Sequence, residues 1–102
     1  MIKIHQPQKI LYDRDGSIGR LLVELDDFLM VELTLESNAQ MENHSMPVDV
    51  LFYIVKGEGI LEIEGFKNSY KAGDVVKVDK SLSRSWKNEN EEEFIVLVLR
   101  KE

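Results

Sequence analysis

The stretch from Lys56 to Val78, KGEGILEIEGFKNSYKAGDVVKV, decides the fold. Leu61-Glu62-Ile63-Glu64 alternates apolar with acidic residues, the period of a strand that covers one face and wets the other. Gly57-Glu58-Gly59 breaks the chain just before it. Gly65 stands where a tight hairpin turn needs a permissive backbone. Lys71-Ala72-Gly73-Asp74 reads as the next turn, and Val75 to Val78 as the strand that follows.

The same reading extends in both directions. Upstream, Val50 to Val55 (VLFYIV) is a continuous apolar and aromatic run, expected to form a strand covered on both sides. Further upstream, Leu21 to Leu25 alternates, Asp26-Asp27 turns, and Phe28 to Leu35 resumes as a second strand. Downstream, Phe94 to Leu99 (FIVLVL) is apolar on both faces. The best helical candidate, Ser37 to Ser45, is short, polar and without an apolar stripe. With no linker, repeat or low-complexity segment, residues 1–102 read as a single all-β domain, a sandwich or barrel.

Composition narrows the function. Thirteen Lys and Arg against nineteen Asp and Glu leave a net charge of −6. Nucleic acid and an anionic membrane surface are therefore not expected partners, since both need a basic face. The absence of cysteine removes disulfides, iron–sulfur clusters, thiolate zinc and cysteine nucleophiles, and is compatible with the cytoplasm, the expected location. No stretch approaches a membrane span, and the opening residues lack a signal-type apolar core. Only two histidines occur, His5 and His44, so a three-histidine site within one chain is excluded. His5 reads as a terminal residue without a role. Glu89 to Glu93 reads as a solvated loop, and Glu62 with Glu64 as an outer polar face.

The segment from His44 to Asn88 resembles the cupin family, small β-barrels of the jelly-roll or double-stranded β-helix type. The family's first motif corresponds to His44 through Gly57 and its second to Gly73 through Asn88. Gly57, Gly59, Gly65, Gly73 and Asn88 stand at scaffold positions, whereas Asp79 and Ser81 replace the second motif's Pro and Gly. The resemblance implies a metal site whose four positions fall here on His44, Met46, Val50 and Arg84. Of these only His44 is an ordinary ligand for a borderline divalent cation. Met46 is a soft thioether, Val50 has no donor, and Arg84 carries a fixed positive charge. Asp49 replaces the lost glutamate only if a bulge turns it inward. No bound metal or other cofactor is therefore expected.

Strand parity suggests what stands in the metal's place. His44 and Met46 share a face, roughly 6.6 Å apart along an extended chain. If Arg84 points inward, so do Trp86 and Asn88, and Val50, Phe52 and Ile54 line the same interior. The expected pocket is built from His44, Met46, Phe52, Arg84, Trp86 and Asn88. It suits a small organic carboxylate or phosphate held by the Arg84 fork against the Trp86 wall. The plainer alternative leaves Arg84 in solvent or paired with an acid, Trp86 in the core and His44 in a loop. Two further functions stay open. One is a cupin enzyme of the isomerase, epimerase, dioxygenase or decarboxylase kind, with His44 as acid or base. The other is a structural homodimer. A dimer is expected in any case, because Ile95, Leu97 and Leu99, with Leu51, Tyr53 and Val55, leave two strands without a polar face.

Overall fold

The computed structural model describes residues 3–101, with side chains described from residue 9 onward, so the His5 side chain lies outside the description. Nine strands account for the regular structure of those residues: β1 (Lys3–Arg14), β2 (Ser17–Leu25), β3 (Phe28–Leu35), β4 (Val50–Lys56), β5 (Glu58–Ile63), β6 (Phe66–Lys71), β7 (Val75–Val78), β8 (Arg84–Lys87) and β9 (Phe94–Lys101). None of the described residues is helical, and no helix is long and apolar enough to cross a membrane. A six-stranded sheet in the order β1-β2-β3-β9-β4-β7 faces a three-stranded sheet in the order β6-β5-β8. Every pairing between these strands is antiparallel. This is the jelly-roll arrangement expected from the sequence.

Three hairpins close through two-residue turns, as the paired residues Arg14 with Ser17, Leu25 with Phe28 and Ile63 with Phe66 show. In two of them both turn residues have positive φ, Asp15-Gly16 at 51° and 84° and Glu64-Gly65 at 48° and 87°. That conformation matches the right-handed twist of the strands it joins. The polar segment from Ser37 to Ser45 is not a helix. It runs beside β8 and bonds to it at Gln40 with Lys87 and at His44 with Arg84, an irregular extension of the smaller sheet.

The core lies between the sheets. Leu35, Val50, Phe52, Ile54, Leu61, Val78, Trp86, Phe94 and Val96 are all buried there. β4 alternates strictly: Val50, Phe52 and Ile54 point in, while Leu51, Tyr53 and Val55 are 43%, 41% and 45% exposed. The expectation of cover on both sides is thus corrected for the single chain, whose second layer covers one face only. On the adjoining strand Phe94 and Val96 are fully buried, whereas Ile95, Leu97 and Leu99 point the other way and are half-buried. On β4 Leu97 and Leu99 stand across from Tyr53 and Leu51, so an apolar band crosses the sheet's outer face, while Ile95 stands across from Lys56.

Candidate functional site

A cavity of about 430 Å³ opens between the two sheets, within the 300–1,000 Å³ that small-molecule pockets span. Its wall is mostly apolar: Val31, Leu33, Met41, Phe52, Trp86 and Val98. Its polar atoms come from Tyr12, Glu42, Asn43, His44, Arg84, Ser85 and Arg100.

Local pairing explains why these groups meet. His44 and Arg84 exchange both backbone hydrogen bonds, each N–H donating to the other's carbonyl at 2.9 Å. Residues paired in that way project their side chains to the same side of the ladder. From the opposite sheet Arg100 stands across from Val50, two residues from Val98, which stands across from Phe52. Period two therefore sends Phe94, Val96, Val98 and Arg100 to one face, and the last delivers a second guanidinium to the cavity.

Arg84 is 6% exposed. Its guanidinium carbon lies 6.0 Å from the centre of the Phe52 ring, its Nη1 has no hydrogen-bond partner, and no ion pair to a carboxylate of the described residues is made. The Trp86 indole N–H is likewise buried without an acceptor. Trp86 packs edge-on against Phe52 at 5.4 Å and against Tyr70 at 6.2 Å, and tilts over Phe94 at 5.0 Å. It is a core residue and a cavity wall at once.

His44 Nε2 lies 2.9 Å from the Met46 sulfur, and Arg100 Nη1 approaches the same sulfur at 4.0 Å. Burial lowers the His44 pKa below its ordinary 6.5, with repulsion from Arg84 and then Arg100 adding to it. The imidazole is therefore neutral at pH 7. Burial likewise lowers the pKa of Arg84, and Arg100 second, although a guanidinium keeps its proton. Among the described residues the only carboxylate in the wall, Glu42, is on the exposed rim and paired with Arg14 at 3.0 Å.

The six pocket candidates divide. His44, Phe52, Arg84 and Trp86 line the cavity; Met46 and Asn88 do not. Met46 is half-buried beside the wall, touching His44 and Arg100. Asn88 does look inward, but its amide serves the backbone and not the cavity. Its Nδ2 donates to Leu35, Glu36 and Glu92 carbonyls at 3.2, 3.2 and 2.9 Å, and its Oδ1 accepts from Asn90 N–H at 2.9 Å. Val50 and Ile54 are core rather than cavity wall. Arg100, Tyr12 and Met41 were missing from the sequence reading. Extending the alternation of Phe94, Val96 and Val98 by one step would have found Arg100.

The four positions that the resemblance assigns to a metal do not fit one. Arg84 places its charge in the buried end of the cavity, and Arg100 adds a second. Among the described residues no group of three or more His, Asp or Glu is arranged to hold a cation. Asp49 does not replace the lost carboxylate: it faces outward, accepting the Lys80 N–H at 2.8 Å and lying 3.8 Å from Lys77 Nζ.

Comparison with known proteins agrees with this architecture. The cupin domain family model matches residues 31–100. No curated protein matches the chain. A solved RmlC-like cupin from Shewanella frigidimarina superposes with a TM-score of 0.83 at 16% identity, covering 97% of this chain and 87% of its own. KdgF from a Halomonas species superposes with 0.83 at 19% identity, covering 96% and 89%. The polyketide cyclase RemF from Streptomyces resistomycificus gives 0.82 at 15%, covering 97% and 78%. At such identities the likeness concerns the fold alone.

Proposed function

The chain belongs to the cupin family, and from that premise we propose that it binds a small organic anion, a carboxylate or phosphate, where relatives with the full motif hold a metal. One observation carries this reading: Arg84 is buried against an apolar cavity with an unpartnered Nη1 and no ion pair to a carboxylate among the described residues. A buried charge is normally paired, because an unpaired one costs several kcal/mol, on the order of 3–5. An anionic ligand supplies the missing partner. In the bound state Arg84 offers its planar fork to the anion, while Phe52, Trp86 and Val98 take up the apolar body and exclude water.

Thermal unfolding in the presence of benzoate, succinate, inorganic phosphate and glycerol phosphate tests the reading. At least one organic anion is expected to raise the midpoint of the wild type, and none that of an Arg84→Met variant with an unchanged β-type circular dichroism spectrum. A shift that survives in the variant, or no shift in the wild type, contradicts it.

A second reading makes the site catalytic. His44 is neutral at the cavity wall, the form a general base requires, and the nearby guanidinium would stabilise an enolate or carboxylate. His44→Gln would then keep ligand binding and lose turnover. Neither reading needs more than one chain, but we also propose that two chains pair through the outer band of Leu51, Tyr53, Leu97 and Leu99. Support comes from the exposure of Leu51 and Tyr53 in the single chain.

A further inference from the structure

We infer that the ligand is an organic anion that also carries a neutral oxygen acceptor, a keto oxygen in the simplest case, received by the indole N–H of Trp86. The inference rests on the anion-site reading above and adds a specificity-determining contact in the same cavity.

Two buried donors on one strand lack acceptors: Arg84 Nη1 and Trp86 Nε1. Their residues are 6% and 2% exposed, and both line the cavity. They are two apart on β8, roughly 6.6 Å along the strand, and stand on one face of it. Phe52 adjoins both. The Arg84 guanidinium carbon lies 6.0 Å from the centre of its ring, and the Trp86 ring centre lies 5.4 Å from the same point. One small molecule lying along Phe52 therefore has both donors within its span. Asn88, two residues further on, makes the contrast. Its amide is bonded to backbone groups at both ends, whereas the Trp86 N–H has nothing.

The two donors ask different things of a partner. Arg84 carries a charge and calls for an anion. An indole N–H is a donor only and carries none. A second anionic group beside Trp86 would be buried against aromatic rings and a neutral donor, which costs far more than burying a neutral oxygen. A body made of hydrocarbon alone would leave the N–H orphaned. The rings packed around it, Phe52, Tyr70 and Phe94, offer only π faces, which are second-order acceptors. A neutral carbonyl oxygen satisfies the N–H without bringing a second charge into the apolar wall.

Isothermal titration of the untagged wild type with levulinate, benzoylpropionate and hydroxyacetone phosphate tests this. Each is run beside the analogue in which a methylidene group replaces the keto oxygen, a change that keeps shape and charge. At least one keto anion is expected to bind at least about tenfold more tightly than its counterpart, which leaves the buried N–H unpaired. Trp86→Phe keeps an aromatic wall and removes the N–H. In that variant the preference is expected to vanish while anion binding persists. The chain has one tryptophan, so its indole N–H gives a single resonance. In the wild type that resonance should move downfield with the preferred keto anion and not with its methylidene counterpart, a readout that misfolding of Trp86→Phe does not touch. Equal binding within every pair, with the indole resonance unmoved, overturns the keto contact and leaves the anion site standing. A keto preference that survives in Trp86→Phe overturns it as well. No binding by any of these anions overturns both.

Discussion

Arg84 is costly to the empty protein. A buried donor without an acceptor is destabilising by about 1–3 kcal/mol, and its charge faces that of Arg100. Arg84→Met, apolar and of similar length, is therefore expected to raise the stability of the ligand-free protein by about 1–2 kcal/mol in urea unfolding, while abolishing anion binding. A fall in stability would mean that Arg84 has an internal role. Asn88 behaves in the opposite way. Asn88→Ala removes an amide that ties three carbonyls and one N–H and should cost about 3 kcal/mol. Asn88→Asp should cost more, since its oxygens would face those carbonyls. His44 sets a pH dependence. Its folded pKa lies below the ordinary 6.5, so the unfolded chain takes up a proton first. Stability should be full above about pH 7 and decline as pH falls through 6.5 toward the folded value, and His44→Gln should flatten that decline.

Among the elements, the hairpins and alternating strands were the most legible, because turn chemistry and period two are local. Phe28–Leu35 was read with the bounds it has, and the turn at Asp26-Asp27 likewise. Parity on β8 puts Trp86 and Asn88 inward only on the condition that Arg84 is; Arg84, Trp86 and Asn88 are buried, but so is Ser85, which parity would turn outward. Parity failed to distinguish a cavity from a core: Asn88 shares the inward face of Arg84 and Trp86, yet its amide meets the Leu35 and Glu36 carbonyls more than fifty positions away, contacts that leave no local trace, besides that of Glu92 four residues on. The apolar run read in the sequence stops at Leu99, one residue short of Arg100, which is the next inward position after Val98. The entry to β5 offers a test of packing. A Cβ at Gly59 would sit 2.5 Å from Phe94 Cζ, and one at Gly57, where φ is 79°, 2.6 Å from the Glu93 carbonyl oxygen. Gly59→Ala should push the Phe94 ring toward Trp86 and cost about 1–3 kcal/mol. The fluorescence of Trp86, the sole tryptophan, reports the shift.

For the whole molecule, net charge and local charge disagree. The chain carries −6, which repels anions at a distance, so capture depends on the guanidiniums inside the barrel. The outer apolar band of the larger sheet adds a second whole-molecule feature. Leu97→Asp is expected to convert a dimer to a monomer in light scattering, without loss of anion binding; a monomeric wild type would contradict the pairing. The exchange of a cation site for an anion site is tested most directly by nuclear magnetic resonance of the guanidinium Nε–H groups and the His44 ring. These signals would be followed while phenyl phosphate, and separately manganese or zinc, is added to the untagged protein. Saturable movement of the Arg84 signal with the anion, and no stoichiometric change with either cation, is the expected result. A one-to-one endpoint at His44 with a cation, with Arg84 unmoved by the anion, would contradict it.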